Sequence, residues 1–112
     1  MKIRRDQDAS FIEFLLDQLD GRPSLETRRM FGGHGVYHDD RIVGIIYQSV
    51  LYLKTDAQTQ PLYIKAGMQP FKPNAKQTLR RYYQVPVAVL ENAEQLQTWV
   101  QAAINASKSD SG

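Results

Sequence analysis

Two pairs of turn residues, Asp39-Asp40 and Gln48-Ser49, break the stretch from Gly35 to Lys54 into three short runs rich in β-branched and aromatic residues. Two-residue connections between such runs make antiparallel hairpins, because so short a loop leaves the chain no other way back. Residues 35–54 are therefore expected to form a β-meander. Counting outward from the two turns sets the pairing: Tyr37 opposite Ile42, Gly35 opposite Gly44, Ile46 opposite Leu51, and Ile45 opposite Tyr52.

That register sorts the side chains. Tyr37, Ile42, Ile46, Leu51 and Leu53 share one face, the expected core. Val36, His38, Arg41, Val43, Ile45, Tyr47, Val50, Tyr52 and Lys54 share the other. Helices of a two-layer domain cover one face only, so Val43, Ile45, Tyr47, Val50 and Tyr52 are expected on a bare face rimmed by Arg41 and Lys54. Exposed apolar area is unfavourable by ~25 cal/mol per Å². The face is accordingly expected to be an interface, in a homodimer or with a regulatory protein partner. The alternative is that a helix or the segment 68–73 wraps over it as a second small core.

Around the meander the other elements follow from periodicity. Phe11, Ile12, Leu15, Leu16 and Leu19 form one stripe of a helix over residues 9–20, with Asp8 or a Ser10–Glu13 box as its cap and Gly21 as its stop. Residues 27–31 read as a strand, whose register the Gly32-Gly33-His34-Gly35 connection leaves open to a bulge. A short helix follows Thr55 or Asp56, carries Pro61 in its first turns and ends at Gly67. Residues 68–73 are extended or looped, and residues 78–85 form a strand that Pro86 stops. Asn92 with Gln95 caps a last helix bearing Leu96, Trp99, Val100, Ala103 and Ile104 on one stripe. The sum is a two-layer α+β domain with an antiparallel meander sheet. At 112 residues there is room for one such domain, over 1–106, with 107–112 read as a disordered tail.

Composition narrows the function classes. The absence of cysteine excludes disulfides, thiolate metal sites and cysteine nucleophiles, and fits a reducing compartment. No apolar run reaches the ~20 residues of a membrane span, and the first residues resemble neither a signal nor a transit peptide. A cytoplasmic location is expected. Net charge is only +2, yet no acid lies between Asp56 and Glu91, where Lys65, Lys72, Lys76, Arg80 and Arg81 are all basic. With Tyr63, Phe71, Tyr82 and Tyr83 interleaved, this stretch is the candidate anion or nucleic-acid contact. A solvated edge is the preferred reading of the same residues.

No catalytic, cofactor or metal constellation emerges. His34 and His38 are four residues apart, but on an extended segment that separates them by ~13 Å, too far to share a zinc ion. Both read as surface histidines. Gly32-Gly33-His34-Gly35 lies between two strands and lacks the helix that a phosphate cradle opens. Ser10, Ser24 and Ser49 have no nucleophile elbow around them, and Asp39-Asp40 is better explained as a turn. The chain is expected not to be an enzyme.

The segment Arg29-Met30-Phe31-Gly32-Gly33-His34-Gly35-Val36-Tyr37, followed by Leu51-Tyr52-Leu53-Lys54-Thr55-Asp56, Ala66-Gly67-Met68, Pro70-Phe71 and Tyr82-Tyr83-Gln84-Val85-Pro86, resembles the N-terminal domain of the TfoX/Sxy competence regulators. The resemblance covers residues 10–105. It implies an α-β(3)-α-β(2)-α arrangement like that of secretion chaperones, and a non-enzymatic role in transcriptional regulation of DNA uptake. It implies no catalytic residue. Full-length regulators continue into a C-terminal domain, so the chain reads as the N-terminal domain standing alone. Direct nucleic-acid binding through residues 65–83 and a small-molecule enzyme or sensor are the alternatives.

Overall fold

The computed structural model describes residues 8–30 and 32–109. In chain order it contains α1 (Ala9–Leu19), β1 (Glu26–Met30), β2 (Gly33–His38), β3 (Arg41–Tyr47), β4 (Val50–Lys54), α2 (Gln60–Lys65), β5 (Pro70–Asn74), β6 (Gln77–Gln84), α3 (Val87–Leu90) and α4 (Ala93–Ser109). The six strands make one antiparallel sheet in the order β1-β2-β3-β4-β6-β5. The fold is α+β as expected, with four strands in the meander. Phe31, the expected end of the first strand, lies outside the described residues.

Both hairpin turns form where the sequence puts them. Asp39 and Asp40 have φ of 50° and 65°, and Gln48 and Ser49 have 51° and 62°. Positive φ at both central residues is the turn whose twist matches that of the flanking strands. At α4 the Asn92 side-chain carbonyl accepts the Gln95 N–H at 3.0 Å, the expected cap. The expected cap of α1 does not form: Ser10 is already helical, and Asp8 precedes the helix without a side-chain capping bond. At the far end, α4 runs on through Ser109, and Ser107 is buried with its hydroxyl donating to the Ile104 carbonyl at 2.7 Å. Residues 107–109 are thus helical rather than tail, and 110–112 lie outside the described residues.

The core lies between the helices and one face of the sheet. Leu15 and Leu19 of α1 and Leu96, Val100, Ala103 and Ile104 of α4 pack against Val36, Val43, Ile46, Leu51 and Leu53. Two of these strand residues, Val36 and Val43, were expected on the opposite face. The cause is a bulge. Val36 pairs with Gly44 but Tyr37 pairs with Ile42, so Val43 is an extra residue in β3. One extra residue reverses every side chain beyond it, since strands alternate with period two. Tyr37 and Ile42 therefore move to the outer face, where Arg28 stacks on the Tyr37 ring at 4.3 Å. Gly35 pairs with Ile45 instead of Gly44. Beyond the bulge, Arg41 turns to the helix side, where its guanidinium reaches the Ser107 carbonyl at 3.5 Å. The pairs Ile46–Leu51 and Ile45–Tyr52 are as expected.

A second irregularity curls the sheet. Pro70 pairs with Tyr83 and the next residue, Phe71, with Leu79, so one step along β5 spans four along β6. The surplus is Arg80, Arg81 and Tyr82. Two of their carbonyls are held from the β4–α2 connection: Thr55 donates to the Arg81 carbonyl through N–H at 2.7 Å and hydroxyl at 2.9 Å, and Gln60 donates to the Arg80 carbonyl at 3.2 Å. Asp56 sets up α2 by accepting the N–H groups of Gln58 and Thr59 at 3.0 and 2.9 Å.

Candidate functional site: an uncharged cleft on the outer face of the sheet

The bend in β6 folds β5 back over the side of the sheet that the helices leave uncovered. Phe71 packs its ring 4.5 Å from Tyr52 and 5.4 Å from Tyr47 and is 4 % exposed, and Ile45 beside it is 6 % exposed. The segment 68–73 thus covers part of the face, as the second-core alternative has it. The covering is incomplete. Between Met30 of β1 and the β5–β6 hairpin a cleft of about 560 Å³ stays open, lined by Met30, Gly33, Ile45, Tyr47, Phe71, Pro73, Asn74, Gln77 and Leu79.

Gly33 forms part of the floor for a steric reason. A Cβ there would lie 2.4 Å from the Ile46 carbonyl oxygen and 3.1 Å from the Tyr47 ring, so only glycine lets that ring lie against β2. A Cβ on Gly35 would likewise meet the Met30 sulfur at 2.7 Å. These two glycines alternate outward while His34 between them points into the helix side. His34 is not a surface residue: it is 6 % exposed, with Nδ1 3.4 Å from a carboxylate oxygen of buried Asp8. The other Asp8 oxygen accepts the Ser49 N–H at 2.6 Å. Ser49 brings its backbone N–H to this bond, so the trio ties α1 to the β3–β4 turn. His38 is half-buried and 2.8 Å from the Ser24 carbonyl. Among the described residues no group of three or more potential ligands could hold a metal ion.

Of the expected interface residues, the structure keeps Ile45, Tyr47, Val50 and Tyr52 together on the outer face, with Lys54 paired to Tyr82 at its border. Val43 leaves the group for the core and Arg41 for the helix side. Burial is the main reason that the Tyr52 phenol is pushed above its ordinary pKa, with the neighbouring Tyr47 adding to the shift. Lys65, Lys72, Lys76, Arg80 and Arg81 are all exposed. They sit on α2, β5, the β5–β6 turn and the bend of β6, and none lines the cleft.

Sequence reasoning missed Met30, Gly33, Pro73, Asn74, Gln77 and Leu79 as lining residues. One signal was present: Gly44, alone inside an apolar strand, marks a place where strands bulge. The three consecutive extra residues of β6 announce themselves less clearly, as Arg80-Arg81 interrupting an alternating pattern.

All nine lining residues are uncharged, and none is placed as a nucleophile or as an acid–base pair. Such a surface offers burial and amide hydrogen bonding, and the class the fold defines is a small α+β domain with an open antiparallel sheet. The model of the TfoX N-terminal domain family matches residues 17–107. The chain belongs to that family, which is regulatory and competence-related and is not a known enzyme family. No curated protein matches the sequence. Among the described residues no helix is long and apolar enough to cross a membrane.

Proposed function

We propose that the domain is a non-enzymatic regulatory module that acts by holding a partner protein against the outer face of its sheet, in the control of genes for DNA uptake. The observation that carries this reading is the cleft itself. Ile45, Tyr47 and Phe71 build an apolar recess with no reactive group, on the side of the sheet away from the helical layer. Exposed apolar surface rimmed by polar residues is one mark of a protein-interaction site. The uncharged lining speaks against nucleic acid at this site, since phosphate contacts supply most of that affinity.

Affinity capture from native cell extract, with and without nuclease, tests the proposal. Leu79→Glu places a charge on the half-buried cleft wall without touching the helix-side core. The expected result is a specific protein that survives nuclease and is lost with Leu79→Glu, while the variant still melts cooperatively. Partners that vanish with nuclease, and with Lys76, Arg80 and Arg81 replaced, would show the basic stretch to be the working surface.

A further inference from the structure

We infer that the cleft receives a single large uncharged side chain, aromatic or long aliphatic, from a partner segment that carries no charge beside that anchor. The inference rests on the protein-binding reading above and adds the chemistry of what is bound.

Charge is the first argument. None of the nine lining residues is ionisable near neutrality, in a chain of which 23% is charged. A charged group entering the cleft would lose part of its water and meet no counter-ion in the lining, so a charged ligand binds more weakly there than its neutral counterpart. Shape is the second. At about 560 Å³ the recess falls within the ~300–1,000 Å³ of ligand pockets, room for one large side chain and its flanking peptide groups. The Tyr47 and Phe71 rings, inclined at 58°, and the Met30 thioether give a ring or a branched chain apolar surface on more than one side.

The mouth supplies the third argument. Asn74 and Gln77 are exposed, and the Asn74 amide reaches the Gln77 carbonyl only at 3.5 Å. A contact that long is easily exchanged for better ones. The Asn74 carbonyl oxygen already accepts the Lys76 N–H at 2.9 Å, so Asn74 offers its NH2 and Gln77 offers donors and an acceptor, together the complement of a peptide group. Finally, β5 is an edge strand carrying Pro70 and Pro73, which have no N–H to donate. A partner strand cannot pair continuously along that edge, so on the β5 side of the cleft the segment is held by what it inserts.

The probe is N-acetyl-L-tryptophanamide, a neutral capped residue, titrated into labelled protein and followed by amide NMR. N-acetyl-L-tryptophan, which has the same ring but a carboxylate, is the comparison. The expected result is saturable shifts confined to Ile45, Tyr47, Phe71, Leu79 and their strand neighbours, with the carboxylate form weaker by about tenfold. Leu79→Trp, which fills the recess, should abolish the shifts. If that variant does not fold, Gln77→Glu at the exposed rim should weaken the carboxylate probe further than the neutral one. Equal binding of the two probes, shifts elsewhere on the domain, or none at probe concentrations of roughly 20 mM, beyond the weak affinity expected of a fragment, would overturn the inference. Those outcomes with partner capture still lost in Leu79→Glu would remove only the anchor chemistry. Capture unaffected by Leu79→Glu would remove the protein-binding reading itself.

Discussion

The Phe71 ring lies 4.5 Å from that of Tyr52, tilted by 41°, although the two residues sit on strands separated by β6. The contact exists because the surplus residues 80–82 bend β6 enough to bring β5 over the outer face. The outer face is therefore neither bare nor closed. It is a half-formed second core with a recess beside it.

Phe71→Ala should destabilise the domain by about 3 kcal/mol, the lower part of the range for a buried phenylalanine, since one side of the site is open to water. Urea unfolding measures the loss. Trp99, packed edge-on to Tyr63 at 4.6 Å on the helix side, should keep its native fluorescence in the folded variant. A loss under about 1 kcal/mol, typical of surface sites, would mean that β5 does not cover the face.

Asp8→Ala removes the carboxylate that accepts the Ser49 N–H at 2.6 Å and lies beside His34. Leaving buried polar groups without that acceptor should cost about 1–3 kcal/mol. Asp8→Asn keeps a carbonyl oxygen for Ser49 and should lose less. Equal losses in the two variants, by chemical denaturation at neutral pH, would place the stabilisation in the charge rather than in the hydrogen bond.

Much of this architecture is legible in the sequence because local rules agree with the fold. Asp39-Asp40 and Gln48-Ser49 fix the hairpins by loop length alone, and Asn92 announces α4 by its capping chemistry. What escapes is decided by tertiary packing. Nothing in Arg41-Ile42-Val43 says which residue is the extra one, since Ile42 and Val43 suit either face equally. The helix layer chooses Val43, and Tyr37, Ile42 and Arg41 follow. His34 escaped for a similar reason: its partner, Asp8, is distant in sequence, and only packing of α1 over the sheet brings it near. Ile45, Tyr47, Val50 and Tyr52, beside the Gln48-Ser49 turn, lie on the expected face because no bulge intervenes there.

Gly33→Ala and Gly21→Ala separate two reasons for glycine. At Gly33 the new methyl would overlap the Ile46 carbonyl at 2.4 Å, and backbone cannot yield cheaply. The expected loss is about 1–3 kcal/mol, with shifted Tyr47 resonances and a deformed cleft. At Gly21 nothing lies within 4 Å, and only the positive φ of 77° resists. That strain is worth about 1 kcal/mol and should leave Tyr47 untouched. Similar spectra for the two variants would contradict the assignment of Gly33 to the cleft floor.

Alkaline pH should unfold the domain through its buried phenols. Burial pushes Tyr63 well above its ordinary pKa, and burial with the neighbouring Tyr47 pushes Tyr52 up as well. A raised pKa means that the folded state keeps a proton which the unfolded chain gives up above about pH 10. The unfolded state then binds fewer protons, so stability falls as pH rises. The stabilisation is fully present below that pH and is lost as pH climbs towards the folded values. Phenolate absorbance should accordingly show Tyr63 and Tyr52 ionising above the ordinary phenol range, with the Tyr63 step coinciding with loss of Trp99 native fluorescence. Tyr63→Phe removes one of the two groups, so its stability, measured by urea at several pH values from neutral upward, should fall less steeply than that of the wild type. An unchanged slope in that variant would mean that Tyr63 ionises in the folded protein as an exposed phenol does, against its position between Tyr83 and Trp99.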